Sequence, residues 1–291
     1  MRSPELRRSA LFVAGADAQI HAQGLQARPD MLIQDLEDGT PVQLRLVARQ
    51  CSAALFAEAK HRGIVAAVRI NTLDSIGRED LAAVMAAQPQ VVFLPKCASG
   101  AQVAALAQEL DRLEAQHRMP LGAIEIVPNA ETAAGVVNLK EIAQASARVK
   151  SALLGTEDLA ADLMAERSLG AEELAYARGR FLLECRALGI EPIDAPFTFA
   201  DAQACEREAR RSRKLGYRSK SVVLPDHVAV IHDVFTPSEP ELAHARETVL
   251  AFERARAEGK DRALVKGLWI EPPTYLNAKR LLDRAKQLAA A

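Results

Sequence analysis

The stretch Leu32–Pro41 reads LIQDLEDGTP, an apolar run that ends in Asp35, Glu37 and Asp38. A helix beginning here would need only one of these carboxylates as its cap. Apolar runs of this kind suit strands that are covered on both faces, as in parallel sheets. Acidic side chains gathered at the end of such a strand predict one sector of a pocket at the edge of the sheet.

The chain alternates between eight short apolar runs and longer Ala-, Leu-, Glu- and Arg-rich stretches with helical periodicity. The runs begin at Ala10, Met31, Ile64, Gln90, Gly122, Val149, Ile190 and Ser219. Eight strand–helix units in roughly 230 residues predict a (β/α)8 TIM barrel, which typically takes about 250. A doubly wound open sheet is the alternative, but it usually has fewer strands, and no G-x-G-x-x-G turn follows the first run.

The pattern changes after the eighth unit. A proline-punctuated segment precedes a helix that Ser238 would cap with Glu241 three residues on, and a short strand or loop then leads to a final helix. We therefore predict a barrel domain over residues 1–235 and a C-terminal helical segment over residues 236–291.

Composition excludes several classes of protein. The 291 residues carry 37 Lys+Arg against 38 Asp+Glu, whereas proteins that bind nucleic acids or membrane surfaces are usually lopsided in charge. No apolar run approaches the roughly 20 residues of a membrane span, and the N-terminus does not resemble a signal peptide. The four cysteines are scattered, which is typical of reduced thiols in a cytoplasmic protein.

Charged or amide side chains follow six consecutive predicted strands. They are Asp35, Glu37 and Asp38, then Arg69 and Asn71, then Lys96, then Asn129 and Glu131, then Glu157 and Asp158, and finally Asp194. Taken singly, Asp38 and Glu157 are plausible helix caps, Glu131 a first-turn acid, and Arg69 a buried ion-pair partner. Capping does not require that all of them fall at one rim, so their coincidence predicts a shared acidic pocket.

Many carboxylates and few histidines indicate a hard cation, Mg²⁺ or Mn²⁺. The six histidines are scattered and form no zinc motif. Imine chemistry would need a lysine inside the barrel. Lys150 and Lys220 stand at the starts of predicted strands, which is the wrong end, and Lys96 follows a proline at the rim. The pattern therefore favours metal-assisted carbonyl chemistry over imine chemistry.

Motifs in order along the chain resemble the citrate lyase beta-subunit-like family of the HpcH/HpaI aldolase superfamily, which includes malyl-CoA and citramalyl-CoA lyases. They are RSALFVAG, DLEDGTPVQLRLVAR, VRINT, FLPKCAS, NAETAAGVVNLKEIA, LLGTEDLAADL, YARGRFLLECRALGIEPIDAPF, FTPSEPELAHAR and GLWIEPPTYLNAKRLL. The resemblance implies a barrel with a C-terminal lid, in trimers or multiples of trimers, that reversibly cleaves a 3-hydroxyacyl thioester to acetyl-CoA and a 2-oxo acid.

The resemblance also implies roles for individual residues. Glu131 and Asp158 would be Mg²⁺ ligands, with Glu131 also contacting substrate. Arg69 would bind the reacting oxygens, and Glu37 and Asp38 would hold metal-bound waters. Arg45 and Lys96 are candidate substrate-binding residues, with Arg45 placed to meet CoA phosphates.

Two positions depart from the family pattern. Glu271 stands where the family has an aspartate that transfers a proton in a neighbouring subunit's site, and Leu224 stands where it has a histidine. The prediction is a Mg²⁺-dependent lyase of a CoA thioester, of the citramalyl-CoA or malyl-CoA type. The alternatives are a metal aldolase acting on free hydroxy-oxo acids and a degenerate subunit that binds CoA or an acyl carrier.

Overall fold

The computed structural model describes residues 1–290, in which eight parallel strands close into a barrel in the order β1 to β8. The barrel strands are β1 Ser9–Ala14, β2 Met31–Asp35, β3 Val65–Arg69, β4 Val91–Leu94, β5 Glu125–Ala130, β6 Ser151–Leu154, β7 Glu191–Asp194 and β8 Ser219–Val222. All eight predicted strands are present, and the predicted (β/α)8 barrel is confirmed.

Helices connect and surround the strands. They are α1 Ala18–Gln26, α2 Arg45–His61, α3 Gly77–Val84, α4 Gly100–Gln116, α5 Ala133–Val137, α6 Leu139–Gln144, α7 Thr156–Asp162, α8 Ala175–Leu188, α9 Ala202–Leu215, α10 His227–Phe235, α11 Glu239–Ala257 and α12 Pro272–Ala290. Helix α4 shows how they are specified: Ser99 and Gln102 form a capping box, and Val103, Leu106 and Leu110 bury one face. Among the described residues, no helix is both long and apolar enough to cross a membrane.

The barrel interior is filled with side chains. One buried apolar cluster takes residues from seven strands, with Phe12 packed against it. Its members are Ala10, Met31, Ile33, Val65, Ala67, Val91, Phe93, Val127, Leu153 and Ile193. Successive strand side chains point to opposite faces, so Asp35 and Arg69, two residues after Ile33 and Ala67, continue the interior rows at the carboxyl rim.

The chain divides into two compact units, Met1–Asp233 and Val234–Ala291. In the second unit, Ser238 and Glu241 form the predicted capping box of α11. The segment predicted as a short strand or loop is an antiparallel hairpin of β9 Ala263–Val265 and β10 Leu268–Ile270. This unit has its own small core, in which the rings of Phe252 and Tyr275 stack 4.7 Å apart.

Candidate active site

Asp35 and Arg69 form the centre of the carboxyl rim. They are register partners on the adjacent strands β2 and β3. Arg69 donates from Nε to Asp35 Oδ1 at 2.8 Å and from Nη2 to Oδ2 at 2.6 Å, a two-pronged pair that fixes the guanidinium plane. Asp35 also accepts from the backbone N–H groups of Glu37 and Gly39. It therefore positions both the arginine and the acidic loop that follows β2.

Arg69 faces two further carboxylates with its remaining nitrogen. Its Nη1 lies 3.2 Å from Glu37 Oε2 and 3.7 Å from Glu131 Oε1. Burial acts to lower the pKa of Arg69, but the hydrogen bonds and charges of Asp35, Glu37 and Glu131 outweigh it and raise that pKa. The guanidinium is therefore a permanent cation among carboxylates.

Lys96 holds two of these carboxylates with different atoms. Its Nζ lies 2.7 Å from Glu37 Oε1, and its backbone N–H donates to Glu131 Oε2 at 2.8 Å. The second bond accompanies a left-handed backbone at Lys96, with φ of 49°. Asn129 Nδ2 donates to Glu131 Oε1 at 3.0 Å, so both oxygens of Glu131 have a fixed donor.

Glu37 and Glu131 are carboxylates in a dry setting. Glu131 is 3% exposed, and burial raises its pKa to about 7, against the opposing charge of Arg69. Burial likewise raises the pKa of Glu37, although Arg69 and Lys96 lower it. Both groups therefore lie where an added cation would be favoured.

A cavity of about 440 Å³ opens at this rim. Its polar lining comes from Asp35, Asp38, Arg69, Glu131, Thr156, Glu157, Asp158, Thr198 and Ser221. Because β5 and β6 pair through Ala130 and Leu154, Glu131 and Asp158 follow neighbouring strands on one side of the cavity. Phe12 and Leu153 belong to both the cavity lining and the barrel core, so they form its apolar floor.

Two predicted substrate contacts lie apart from this lining. Within residues 1–290, the cavity wall does not include Arg45 or Lys96. Arg45 begins α2 and is partly buried. Arg49, one helical turn further along α2, donates to Asp80 at 2.9 Å. The CoA-phosphate role of Arg45 stays a prediction.

Three other rim residues make contacts that the predicted pocket did not include. Glu157 lines the cavity but is exposed and pairs with Arg167 at 3.0 Å. Asn71 donates to Asp80 and to a backbone carbonyl, a structural arrangement. The prediction was wrong for Asp194: it follows Ile193, which faces the interior, so its side chain turns outward to α8 and α9.

The two residues that differ from the family pattern, Leu224 and Glu271, lie in different units. Leu224 follows β8 and is partly buried, and its carbonyl accepts from the backbone N–H of His227. Glu271 belongs to the C-terminal unit, where it is exposed between β10 and α12.

The donor set fits a magnesium ion. Among residues 1–290, no group of three or more His, Cys, Asp or Glu side chains could hold a metal. Mg²⁺ is usually bound by one or two carboxylates, with water and substrate oxygens completing its octahedron. Glu131 and Asp158 supply that number. Among residues 1–290, Thr156 Oγ1 and Asn129 Oδ1 are buried without hydrogen-bond partners, and they add neutral oxygens near the rim.

Gly155 makes room for Glu131. A Cβ on Gly155 would stand 2.4 Å from Glu131 Cγ and 2.8 Å from Oε1. We expect Gly155→Ala to displace this carboxylate and to weaken Mg²⁺ binding by about tenfold or more, measured by calorimetry. The matched control is Gly179→Ala in α8, where a Cβ meets no atom of residues 1–290 within 4 Å. An unchanged Mg²⁺ affinity in Gly155→Ala would contradict this account of the glycine.

The sequence profile of HpcH/HpaI aldolase/citrate lyase matches residues 8–225, almost the whole barrel unit. The chain belongs to the HpcH/HpaI aldolase/citrate lyase family. Family members with similar sequences include the citrate lyase subunit beta of Escherichia coli K12, 32% identical over 98% of this chain and 95% of that protein. Another is a (3S)-malyl-CoA thioesterase of Cereibacter sphaeroides, 31% identical over 97% of this chain and 96% of that protein.

A solved structure of a family member is also similar. It is the protein CitE from Mycobacterium tuberculosis in complex with magnesium, acetoacetate and coenzyme A. The TM-score is 0.77 at 28% identity, and the match covers 96% of this chain and 97% of that one. The predicted family and its barrel fold are both confirmed.

Proposed function

We propose that this protein is a Mg²⁺-dependent carbon–carbon lyase that cleaves a 3-hydroxyacyl-CoA thioester, of the citramalyl-CoA or malyl-CoA type, into acetyl-CoA and a 2-oxo acid. The observation that carries the proposal is the fixed guanidinium of Arg69 among Asp35, Glu37 and Glu131 at a cavity that Asp158 also lines. Support comes from the relatives named citrate lyase subunit beta and malyl-CoA thioesterase and from the CitE complex.

Glu131 and Asp158 are the residues that would hold the cation. When bound, Mg²⁺ supplies Lewis-acid stabilisation of the oxo-acid oxygens and a template for the substrate. Mn²⁺ suits the same oxygen donors. Lys96 and Asn129 keep Glu131 oriented through their hydrogen bonds to its two oxygens.

Arg69 would act on the thioester. When a base takes the proton of the 3-hydroxyl group, breaking the bond between the second and third carbons leaves an enolate on the acetyl thioester and a carbonyl on the departing oxo acid. A guanidinium already held in place stabilises negative charge on the enolate oxygen without reorganising during the reaction. Asp35 keeps the guanidinium plane fixed. Glu37 and Asp38 would orient water at the rim.

A panel of 3-hydroxyacyl-CoA thioesters, assayed with Mg²⁺ and analysed by mass, tests this proposal. We expect acetyl-CoA and a 2-oxo acid, with activity lost in excess EDTA. Free CoA and a hydroxy acid would instead indicate a thioesterase, the activity that the name of the Cereibacter relative states. Cleavage of free hydroxy-oxo acids alone would indicate an aldolase. CoA binding without turnover would indicate a subunit that only binds.

We infer that Glu271 transfers the proton at the acetyl methyl group in a neighbouring subunit's site, within a trimer or a multiple of it. Support comes from its exposure and from Pro272 and Pro273, which stiffen the chain directly after it. Glu271→Gln is expected to lower turnover by about 10²-fold or more, since general acid–base catalysis contributes about 10²–10⁴.

Mixing inactive Glu271→Gln with inactive Arg69→Ala under subunit exchange should restore part of the activity, because some interfaces pair an intact acid with an intact barrel. Exchange is followed by native mass spectrometry. No recovery despite exchange would refute the shared site. A fully active Glu271→Gln enzyme would refute the proton-transfer role.

A further inference from the structure

A buried cluster of charges lies on the outer face of the barrel at β7 and β8. Arg178 of α8 donates to Asp194 from Nε at 2.8 Å and from Nη2 at 2.5 Å. Lys220 of β8 lies 2.9 Å from Asp194 and 2.7 Å from Glu208 of α9. Ser212 donates to Asp194 at 2.6 Å. Two cations thus face two carboxylates, and the cluster is neutral.

This cluster is largely sealed from solvent. The side chain of Lys220 is 1% exposed, that of Asp194 is 0% exposed and that of Glu208 is 12% exposed. Burial acts to raise the pKa of Asp194, but the charges of Lys220 and Arg178 outweigh it and hold that pKa below its usual value. Lys220 Nζ is already engaged by two carboxylates, which does not suit it to form an imine.

The cluster is joined to the segment that follows β7. Lys220 Nζ also donates to the backbone carbonyl of Ala195. From the interior face, Ser221 Oγ donates to the carbonyl of Asp194 at 3.0 Å. Two consecutive carbonyls at the end of β7 are thereby held from opposite faces of the barrel.

The same segment forms part of the catalytic cavity wall. Pro196 and Thr198 line the cavity directly after the carbonyl that Lys220 holds. Thr198 Oγ1 donates to Glu157 at 3.3 Å, which ties this wall to the turn that carries Asp158. A displacement of the end of β7 would therefore move two residues of the wall.

Stability alone does not explain charges at this place. Buried ion pairs often contribute no more stability than well-packed apolar residues of the same volume, because removing two charges from water is costly. What an apolar replacement cannot provide is a directed donor to the carbonyl of Ala195. That directed bond holds the carbonyl that directly precedes the cavity-wall residue Pro196.

We propose that Lys220 is a positioning residue, which uses its bonds to Asp194, Glu208 and the carbonyl of Ala195 to fix the 195–199 segment as a wall of the substrate cavity. The kinetic part of this inference rests on the proposed lyase function. Its structural part does not, because the rigidity of the segment can be measured without substrate.

The test removes one cation and one carboxylate together, in the double variant Lys220→Met with Glu208→Gln, so that no net charge stays buried. The matched control is Arg148→Met with Glu114→Gln. Arg148 is also a buried cation, with Nη2 2.6 Å from Glu114 and Nη1 donating to the carbonyl of Ile124 at 2.9 Å. It precedes β6, at the opposite end of the barrel.

Amide hydrogen exchange is the first readout. We expect exchange in peptides covering residues 195–200 to rise about tenfold or more in the Lys220 variant, because the segment opens locally. The Arg148 control should leave that segment unchanged even when its stability falls equally. Equal exchange of residues 195–200 in the two double variants would overturn the proposal, whether or not the enzyme is active.

Kinetics with the best thioester are the second readout. A displaced wall should raise KM by about tenfold with a smaller change in kcat in the Lys220 variant, and the control should change neither. Unchanged KM and kcat in the Lys220 variant would overturn the kinetic part. If the double variant does not fold, Lys220→Arg keeps the charge but loses the compact three-donor head, and it should also speed exchange of residues 195–200. Unchanged exchange in that variant would overturn the proposal equally.

Discussion

Glu131→Gln is expected to lower Mg²⁺-dependent turnover by about 10³-fold, because Lewis-acid stabilisation is worth several kcal/mol and each 1.36 kcal/mol is a factor of ten. Glutamine has nearly the same volume, but it lacks the negative charge that holds a cation. The fold is expected to persist, since Glu131 is not a member of the buried apolar cluster that fills the barrel. Asp158→Asn should act in the same direction.

Calorimetric titration with Mg²⁺ separates loss of the cation from loss of the fold. Glu157→Gln is the matched control, because it makes the same change of charge at the residue before Asp158, where the carboxylate pairs with Arg167. We expect the control to bind Mg²⁺ normally and Glu131→Gln and Asp158→Asn to bind it weakly. Wild-type Mg²⁺ affinity in both of those variants would show that Glu131 and Asp158 do not bind the cation.

Arg69→Lys is expected to lower kcat by about 10²–10³-fold, the typical loss when one fixed donor is removed from a developing oxyanion. Lysine keeps the charge, but its single nitrogen cannot bind both oxygens of Asp35 and also reach toward the cavity as the guanidinium does. The free energy of unfolding should fall by about 2 kcal/mol or less, the net value of one charged hydrogen bond.

Urea denaturation and steady-state kinetics together decide between a catalytic and a structural arginine. Arg148→Lys is the control, since its guanidinium also binds a carboxylate with two prongs, Glu114, far from the rim. It should lose similar stability and keep its turnover. If the stability of Arg69→Lys collapses in proportion to its activity, Arg69 is a structural ion-pair residue.

The barrel was predictable because its strands are short, apolar and regularly spaced. The chemistry at the strand ends was predictable only in part, because a sequence places residues at a rim without saying which face they take. Strand alternation gives the face of a residue only once an interior residue of the same strand is known. Ile33 and Ile193 both face the interior. Asp35 lies two residues after Ile33 and therefore also faces the interior, whereas Asp194 lies one residue after Ile193 and faces outward.

Other features had no signal in the sequence. Lys96 is not a residue type that favours a left-handed backbone, yet its N–H reaches Glu131 from that conformation. The role of Asp35 as partner of Arg69 depends on the register between β2 and β3, which no single strand encodes. Gly155 is recognisable as necessary only once the side chain of Glu131 is seen beside it.

The apolar floor beneath the rim closes the cavity on the side of the barrel core. Phe12 and Leu153 close it from below, and the apolar cluster under them fills the barrel interior. For the proposed lyase, the substrate and both products would then use the opening at the carboxyl rim. We expect the fragment nearer the mouth to leave first, so that each product inhibits by blocking the opening as well as by binding.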